Sequence, residues 1–450
     1  MFYFYKSMKY FGTDGIRGKF GEFPVTLDVV SRVILALRIC SESPSLKIVI
    51  GRDPRESGRI IEKTLLDNSI AADGIFLCGV VPSPAVPMAV LVEDADFGIM
   101  ITASHNQFDD NGIKFFDKTG KVSVEFEERL EKCIESCQRN AQGGKANIII
   151  DISKKVSKLF LESMASRINA HGEIKKITVD AANGSLSSFV RKCYKNVCGK
   201  VIVIGDDLTK KINHRVGSEY PEVISAAVLA NGSDLGISHD GDGDRVVICD
   251  ENGIVIDGEK IFALISDYFM KSKKMSQNRT IVTTVMSNMG LDVALRNLGV
   301  VVERTAVGDR NVARRMLEIG SNFGGECSGH MLFNDLESTS NGVLSAIMVI
   351  NAMSFLGIKA SDVQKLVKMY PQKKCSLGVK KIIPIEEIPF LAGELKNISD
   401  YLSKFNGRLV IRYSGTEPKL RILVESESDD VSNECLIMAK NIIANSPIMH

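Results

Sequence analysis

Long hydrophobic runs are absent from this sequence of 450 residues. No stretch reaches the roughly 18 consecutive apolar residues that a membrane-spanning helix requires. Residues 1–8 are rich in aromatic side chains but too few for the apolar region and cleavage site of a signal peptide. We therefore expect a soluble, cytoplasmic protein that does not act on membranes. The first residues are interpreted as an upstream extension, with Met8 as the alternative start.

A large excess of charge of one sign is also missing, since 56 Lys and Arg residues stand against 55 Asp and Glu residues. The formal net charge of +1 argues against nucleic-acid binding by bulk electrostatics, but it leaves room for local phosphate sites. The ten cysteines include no Cys-x-x-Cys pair. The nearest pairs, Cys133/Cys137 and Cys193/Cys198, fall in segments predicted to be helical, so reduced cytosolic thiols are expected.

The chain is too long for a single hydrophobic core, and a guide of about 150 residues per domain suggests three or more domains. Short apolar runs alternate with amphipathic stretches, a pattern that predicts βαβ units and mostly parallel sheets. The predicted strands cover residues 47–51, 74–77 and 97–101, then 177–180, 200–204 and 235–237, and finally 280–284 and 300–303. After Pro371 the pattern changes to two paired strands, 408–412 and 420–424, and a closing helix from about Val431.

The predicted fold class is α/β, with three similar α/β domains that have mixed, mostly parallel sheets and a smaller α+β C-terminal domain, arranged around a central cleft. The domains are predicted to cover residues 1–145, 146–247, 248–368 and 369–450. Polar breaks near Gly143-Gly144 and Tyr370-Pro371 are the candidate linkers. The units share a pattern only, because no residue-level repeat is evident.

The most informative stretch is the run Asp240-Gly-Asp-Gly-Asp-Arg245, in which three carboxylates alternate with glycine. Carboxylates packed this closely repel one another, and a hard divalent cation such as Mg²⁺ removes the repulsion. An EF-hand loop fits the spacing of the acids, but Arg245 replaces its turn glycine, and both flanks are predicted to be strands instead of helices. A solvated acidic loop that holds no ion is the simpler alternative.

Thr102-Ala-Ser-His-Asn106 directly follows a predicted buried strand, at the edge of the sheet where α/β proteins bind ligands. Ser104 is therefore placed as a nucleophile or a phosphate acceptor. A serine hydrolase that uses His105 is disfavoured, because adjacent side chains seldom face each other and no Gly-x-Ser-x-Gly turn is present. The alternative without chemistry is a serine that only caps the turn after the strand.

Lys114 lies in the apolar part of Asp110-Asn-Gly-Ile-Lys-Phe-Phe116, which is predicted to return to the same sheet. A lysine in such a run usually extends to solvent. If Lys114 instead faces the cleft, burial would lower its pKa and suit it to proton transfer. The spacing alone leaves both interpretations open.

Two further loops carry polar groups after predicted strands. Gly324-Gly-Glu-Cys-Ser-Gly-His330 offers groups that could hydrogen-bond the hydroxyls of a sugar, although a lone histidine such as His330 is more often structural. Arg412-Tyr-Ser-Gly-Thr-Glu-Pro418, with Arg421 close behind, offers an arginine, hydroxyls and backbone N–H groups that can converge on a phosphate. The alternative for this second loop is an ordinary Ser-Gly turn.

In their order and spacing these motifs resemble the α-D-phosphohexomutase family over essentially the whole chain, from Phe11-Gly-Thr-Asp-Gly-Ile-Arg-Gly18 to Arg421. The opening motif, residues 111–116 and Ile212-Asn-His-Arg-Val-Gly-Ser-Glu-Tyr-Pro-Glu222 resemble the branch that acts on glucosamine phosphates more than those that act on mannose or glucose phosphates. The resemblance implies an isomerase that interconverts glucosamine 6-phosphate and glucosamine 1-phosphate. The reaction would pass through a phosphoserine enzyme and a 1,6-bisphosphate and would feed amino-sugar nucleotide synthesis.

The resemblance also assigns roles to residues. It implies that Ser104 is the phosphoserine and that one Mg²⁺ per chain is held by Ser104 and by Asp240, Asp242 and Asp244. The residues expected to support the phosphoserine, or to act as acid, base or ligand near the reacting hydroxyl, are Arg17, Arg245, Lys114 and His330. Those expected to bind the sugar or its non-reacting phosphate are Glu326, Ser328, Arg412, Ser414, Gly415, Thr416 and Arg421.

Three positions depart from the family's usual pattern. Gln107 stands where proline is common, which would loosen the serine loop. Cys327 stands where glutamine is common in the glucosamine branch, and this bears on sugar preference. Ser340-Asn-Gly342 lacks the usual Gly-Asp.

Three rival functions stay open at this point. They are a mutase for mannose or glucose phosphates, a phosphosugar-binding protein without catalysis, and a metal-dependent phosphatase. In each case the expected partner is a small phosphosugar and not a nucleic acid or a membrane, and the chain is expected to be a monomer or a homodimer. For the mutase, a hexose 1,6-bisphosphate or autophosphorylation would prime the serine.

Overall fold

The computed structural model describes residues 2–3, 8–12, 14–137, 146–170, 174–413 and 419–449. Its strands form four separate sheets, three within α/β units and one in the C-terminal unit. The fold class predicted from the sequence is therefore confirmed. Within the described ranges, none of the helices combines the length and the apolar character that a bilayer crossing needs.

The first sheet has seven strands in the order β2-β6-β5-β3-β4-β8, with β7 beside β6. β3 pairs in parallel with β4 and β5, whereas β6 runs antiparallel to β5 and β2. β8 lies in the range predicted for the second unit but pairs with β4 of this sheet. The elements are β1 (Phe2–Tyr3), β2 (Ile16–Lys19), α1 (Leu27–Ser41), β3 (Lys47–Arg52), α2 (Glu56–Asp67), β4 (Gly74–Val80), α3 (Ala85–Val92), β5 (Phe97–Ile101), β6 (Asp110–Asp117), β7 (Gly120–Lys121), α4 (Val124–Ser136) and β8 (Ile148–Asp151).

The second sheet has the order β10-β9-β11-β12-β13, in which β9, β10 and β11 are parallel and β12 returns antiparallel to β11. Both flanks of the acidic run are thus strands, as predicted, and this excludes an EF-hand. The elements are α5 (Ser153–Ser166), β9 (Lys176–Asp180), a 3-10 turn (Ser185–Ser188), α6 (Val190–Tyr194), β10 (Lys200–Ile204), α7 (Pro221–Asn231), β11 (Leu235–His239), β12 (Val246–Asp250) and β13 (Val255–Ile256).

The third sheet repeats this plan in the order β15-β14-β16-β17, with β17 antiparallel to β16. In each α/β unit a polar loop follows the end of a parallel strand and leads into an antiparallel strand beside it. The elements are α8 (Gly258–Lys271), β14 (Thr280–Thr284), α9 (Gly290–Asn297), β15 (Val301–Thr305), α10 (Asp309–Ile319), β16 (Phe323–Glu326), β17 (His330–Phe333), α11 (Gly342–Leu356) and α12 (Ala360–Val363).

The C-terminal sheet has the order β1-β19-β20-β18, so a strand from the start of the chain pairs in parallel with β19. The strands and the closing helix predicted after Pro371 are all present. The elements are β18 (Gln372–Gly378), a 3-10 turn (Ile385–Glu387), α13 (Pro389–Ser403), β19 (Arg408–Tyr413), β20 (Lys419–Glu425) and α14 (Asp429–Ala444).

Three large clusters of buried side chains hold these units. One belongs to the first unit alone and includes Val33, Ile48 and Leu130. A second, continuous cluster runs through the three α/β units and includes Val86, Phe160, Leu235 and Phe323. The helix α11 is apolar on all sides and buried from Gly342 to Met353, as expected for a helix enclosed by its neighbours.

The C-terminal unit has its own core, which includes Leu395, Leu409 and Ile443. It touches the third unit through a small apolar patch of Val285, Val410 and Leu423. The four-unit division of the chain remains our proposal, with three units sharing one core and the fourth packed separately.

Candidate active site

Two of the hairpin loops meet at Ser104. The hydroxyl of Ser104, in the loop between β5 and β6, donates a hydrogen bond of 2.6 Å to Oδ2 of Asp240, in the loop between β11 and β12. Ser104 is 1% exposed and has a φ of 53°, a left-handed conformation that is uncommon for serine. Its backbone N–H donates to Oγ1 of Thr102 at 2.8 Å. The serine is thus held in a strained turn, and such strain concentrates at functional sites.

His105 does approach the serine, contrary to the expectation that these neighbours face apart. Its Nδ1 lies 3.3 Å from Oγ of Ser104. Burial, together with the nearby charges of Arg245 and Arg17, lowers the pKa of His105 to about 2. An imidazole with so low a pKa is a poor proton acceptor, and this argues against a serine hydrolase.

Arg55 holds the serine loop from inside the first unit. Its guanidinium is fully buried and donates to the backbone carbonyls of Ser104 (3.1 Å), Asn106 (2.9 Å) and Asp110 (2.9 Å), and also to that of Gln107. The bond to Gln107 uses a backbone carbonyl that proline also has, so the expected loosening of this loop by Gln107 stays a prediction. Arg55 was not predicted as a site residue, although its place after the buried strand β3 was a usable signal.

Asn213 holds the same loop from the second unit. Its Nδ2 donates to the carbonyls of Ser104 (2.7 Å) and Asn106 (2.9 Å). Nearby, Nε2 of Gln107 donates to the hydroxyl of Tyr220 at 3.3 Å. Asn213 and Tyr220 lie in the 212–222 motif that sequence analysis noted without assigning a role. The motif therefore joins the second unit to the backbone of the serine loop.

Loss of the Asn213 amide is expected to lower turnover by about 10- to 100-fold, since misplacing a reacting group by about 1 Å has costs of this size. The suitable change is Asn213→Gly, because the residue has a φ of 56° that glycine adopts without strain. Asn183→Gly is the matched control, since Asn183 also has a positive φ but bonds the carbonyl of Lys211 instead. Steady-state kinetics measures the turnover of both variants. An equal loss of turnover in Asn213→Gly and Asn183→Gly would contradict the role of Asn213 in positioning the serine loop.

The three aspartates of the acidic run form one buried cluster. One carboxylate oxygen from each of Asp240, Asp242 and Asp244 lies within 4.8 Å of the others. Burial and the charges of Asp244 and Asp242 raise the pKa of Asp240 to about 8. Among the described residues, Oδ1 of Asp242 is buried and has no hydrogen-bond partner. An unpaired buried oxygen beside crowded carboxylates fits an oxygen-preferring divalent cation such as Mg²⁺.

Lys114 faces this cluster and not the solvent. Its Nζ lies 2.7 Å from Asp244, 2.8 Å from Asp242 and 2.9 Å from Asp14, and the side chain is 2% exposed. Burial opposes its charge, but attraction to Asp14, Asp242 and Asp244 prevails, and the pKa of Lys114 is raised well above its usual value. The expectation of a lowered pKa is therefore wrong, because the buried neighbours are carboxylates. Lys114 is an ammonium donor.

His330 is the second basic side chain at the cluster. Its Nε2 lies 3.0 Å from Oδ1 of Asp244, and its Nδ1 lies 3.3 Å from Oε2 of Glu326. Burial works against the charge, but the attraction of Asp244 outweighs it and raises the pKa of His330 to about 9. Nε of Arg245 lies 3.1 Å from the same Nε2. A protonated Nε2 cannot accept a hydrogen bond from Arg245, so we assign its proton to the bond with Asp244.

The two predicted arginines occupy different positions. Arg245 donates its backbone N–H to Oδ1 of Asp240 at 3.1 Å, which ties it to the acidic cluster. Within the described residues, the contacts of the Arg17 guanidinium are long, 3.4 Å both to Oδ1 of Asn106 and to Oδ2 of Asp14. Asp14, which sequence analysis did not select, therefore lies between Arg17 and Lys114. The signal for it was its place in the opening motif at residues 11–18.

The loop between β16 and β17 brings the third unit to the cluster. Glu326 accepts the backbone N–H of Gly308 at 3.0 Å, and Ser328 is exposed. Cys327 is partly buried, with its Sγ 3.3 Å from Oγ of Ser287. Asn341 caps helix α11 by accepting the N–H groups of two residues in its first turn, at 3.0 and 3.2 Å. Asn341 thus serves as the helix cap, whereas the buried hydroxyl of Ser340 has no hydrogen-bond partner among the described residues.

The loop of the C-terminal unit that is predicted to bind phosphate is described in part. Arg412 and Arg421 are direct partners across β19 and β20, so their side chains share a face of the sheet. They border a groove with Lys374, Ser376 and Met286. The predicted residues Ser414, Gly415 and Thr416 lie outside the described residues.

Three segments of the chain match known domain families. Residues 8–141 match α/β/α domain I of phosphoglucomutase/phosphomannomutase, residues 257–370 match domain III, and residues 379–438 match the C-terminal domain. A phosphoglucosamine mutase of Nautilia profundicola is 37% identical, over 96% of this chain and 98% of its own length. One from Geobacter sp. is 38% identical, over 95% of both chains.

Solved structures show the same fold. A phosphoglucomutase/phosphomannomutase family protein from Burkholderia thailandensis superposes with a TM-score of 0.77 at 19% identity, covering 98% of this chain and 99% of its own. The N-acetylphosphoglucosamine mutase of Aspergillus fumigatus, in complex with GlcNAc-6P and magnesium, has a TM-score of 0.66 at 16% identity, covering 97% and 96%.

Proposed function

The chain belongs to the phosphoglucomutase/phosphomannomutase family of α-D-phosphohexomutases, and from that premise we propose that it interconverts glucosamine 6-phosphate and glucosamine 1-phosphate. The chain is thus a phosphosugar mutase, an isomerase. The choice of glucosamine is supported by curated relatives of nearly full length, 35–38% identical, that bear the name phosphoglucosamine mutase. The observation that carries the chemistry is the hydrogen bond from Ser104 to Asp240.

The proposed roles combine the family motifs with the contacts described above. Ser104 would carry the phosphoryl group, and Asp240, Asp242 and Asp244 would hold one Mg²⁺ with it. When bound, the cation would neutralise charge on the phosphoryl oxygens. Positive groups that can donate to those oxygens are supplied by Lys114, His330, Arg17 and Arg245. Binding of the sugar and its non-reacting phosphate is proposed for Glu326, Ser328, Arg412, Ser414, Gly415, Thr416 and Arg421.

The proposed reaction is two phosphoryl transfers. In the first, the bond between phosphorus and Ser104 Oγ breaks and a bond to the free sugar hydroxyl forms, which gives a 1,6-bisphosphate and a serine hydroxyl. The bisphosphate turns over in the cleft, and its other phosphate returns to Ser104. Arg55 and Asn213 keep the serine backbone in place for both transfers, which matters because phosphoryl transfer depends mainly on positioning and charge.

Several finer features are part of the proposal. The serine would be primed by a hexose 1,6-bisphosphate or by autophosphorylation. The enzyme would act in the cytoplasm as a monomer or a homodimer and would supply amino-sugar nucleotide and peptidoglycan precursors. A separate C-terminal unit suits this reaction, since one phosphate-binding face must serve both orientations of the bisphosphate.

The test is a comparison of glucosamine, mannose and glucose 6-phosphates as substrates, with Mg²⁺ and a hexose 1,6-bisphosphate. We expect kcat/KM for glucosamine 6-phosphate to be higher by about tenfold or more, the size of effect that a few sugar-specific contacts can give. A preference for mannose or glucose phosphates would overturn the substrate while keeping the mutase chemistry. Release of inorganic phosphate without isomerisation would indicate the phosphatase instead.

A further inference from the structure

A pair of cysteines lies at the contact between helices α1 and α4 of the first unit. Cys40 is near the end of α1 and Cys133 is in the last turns of α4, and their sulfur atoms are 2.9 Å apart. All ten cysteines of the chain are free thiols here. We propose that Cys40 and Cys133 are a redox site, a dithiol that closes to a disulfide and fixes α1 to α4.

The geometry requires little movement. A disulfide has a sulfur–sulfur bond of about 2.05 Å, so closure brings the two atoms less than about 1 Å nearer. The helices are already packed through buried side chains, among them Val33 and Leu37 of α1 and Leu130 and Ile134 of α4. Both cysteines are partly exposed, which admits a small oxidant.

The third nearby thiol does not turn the pair into a metal site. Cys137 follows α4, is 6% exposed, and donates its backbone N–H to the carbonyl of Cys133. In the described part of the chain, the aspartates of the acidic run are the one group of three such ligands close enough to share an ion. Two thiols in contact and a third set apart fit a disulfide better than a metal.

The chemistry balances with a peroxide as oxidant. The thiol of Cys40 donates a hydrogen bond to Sγ of Cys133, and burial together with this contact raises the pKa of Cys40 to about 12. Because the sulfur of Cys133 accepts this hydrogen bond, we take Cys133, as its thiolate, to attack the peroxide. Its sulfur takes one peroxide oxygen as the O–O bond breaks, giving a sulfenic acid and hydroxide. Cys40 then attacks that sulfur, the S–S bond forms, and the S–O bond breaks. Overall the thiols lose two electrons and two protons, and peroxide becomes two waters.

The crosslink would hold in place helix α4, which binds the segment before the motif at residues 11–18, and it would lie outside the candidate active site. Glu131, half a turn before Cys133 on α4, accepts the backbone N–H groups of Lys9 (2.9 Å), Tyr10 (2.8 Å) and Phe11 (3.3 Å). That segment leads directly into the motif at residues 11–18. Because the linked cysteines are 93 positions apart, the bond also restricts the unfolded chain strongly. We expect higher stability of the α/β part of the chain, which unfolds as one unit, and unchanged turnover. This inference does not depend on the proposed function.

The test treats the full-length protein with hydrogen peroxide and then blocks the remaining thiols. Peptide mapping should show a Cys40–Cys133 link, and the midpoint of thermal unfolding should rise by about 5 °C and return after dithiothreitol. Cys40→Ser and Cys133→Ser should each remove the rise, while Cys198→Ser, a change at a partly exposed thiol elsewhere, should keep it. Circular dichroism checks that each variant is folded.

Three results would overturn the inference. They are a link that joins Cys133 to Cys137, oxidation that stops at separate sulfinic or sulfonic acids, and a correct link that leaves the unfolding midpoint unchanged. Mutase assays on the same samples measure substrate preference independently, so failure of the disulfide inference can be told apart from failure of the proposed function.

Discussion

Replacing Ser104 with alanine is expected to lower turnover by about 10⁴-fold or more, the scale seen when an enzyme loses the group that forms its covalent intermediate. The variant keeps the backbone bonds from Arg55 and Asn213, so its fold should persist. What it loses is the hydroxyl that bonds Asp240 at 2.6 Å and that we propose carries the phosphoryl group. A coupled assay for glucosamine 1-phosphate measures the effect, and intact-mass analysis should show one phosphoryl group on the wild type and none on the variant.

Ser238→Ala is the matched control for this experiment. Ser238 is fully buried on β11, and its hydroxyl has no hydrogen-bond partner within the described ranges. The control should therefore retain activity and phosphorylation. If Ser104→Ala kept substantial turnover, or if wild-type phosphate mapped to another residue, the phosphoserine mechanism would be wrong.

Replacing Asp242 with asparagine is expected to lower turnover by roughly 10²- to 10³-fold, since a catalytic cation contributes several kcal/mol of charge stabilisation. The side chains have nearly the same shape, so the buried bond from the Ser83 hydroxyl at 2.5 Å can persist. The variant removes one negative charge from the oxygens that face the proposed Mg²⁺. Wild-type protein should gain thermal stability on addition of Mg²⁺ and lose activity in a chelator, and the variant should show a much smaller response to the metal.

The control for the second experiment is Asp250→Asn. Asp250 is also fully buried in the same sheet, but its Oδ1 accepts the backbone N–H groups of Asn252 (2.9 Å) and Ile254 (3.0 Å) in a turn away from the cluster. Its replacement should leave the Mg²⁺ response intact even if it lowers stability. A wild-type response to Mg²⁺ in Asp242→Asn would contradict the assignment of this residue as a ligand.

The sequence was most informative where all the residues of a site lie within one short motif. The run from Asp240 to Arg245 contains the three aspartates, and the predicted strands on both sides place them in one short loop. The cluster could therefore be predicted without the fold. Ser104 could be predicted in the same way, because it follows the buried strand β5 directly.

Long-range contacts set the limit of that prediction. Arg55 reaches the serine loop from 49 positions away, and Asn213 reaches it from 109 positions away in another unit. The place of Arg55 after β3 and of Asn213 in the 212–222 motif marks them as candidates, but which backbone carbonyls they bind is set by the tertiary fold. The pKa of Lys114 was misjudged for the same reason, since its direction depends on Asp14 and the acidic run, which lie far from it in sequence.

The arrangement of the cores determines how the chain unfolds. The three α/β units share one core, and the C-terminal unit has its own. Units that share buried side chains unfold together, whereas a unit with its own core can open alone. The C-terminal unit is joined to the third by a small patch and by a few polar bonds, such as that from the Met289 N–H to Glu425 at 2.7 Å. The chain is therefore expected to contain two cooperative unfolding units and not four. The boundary between them runs beside Arg412 and Arg421, so the face that we propose binds the non-reacting phosphate belongs to the unit that is expected to unfold first.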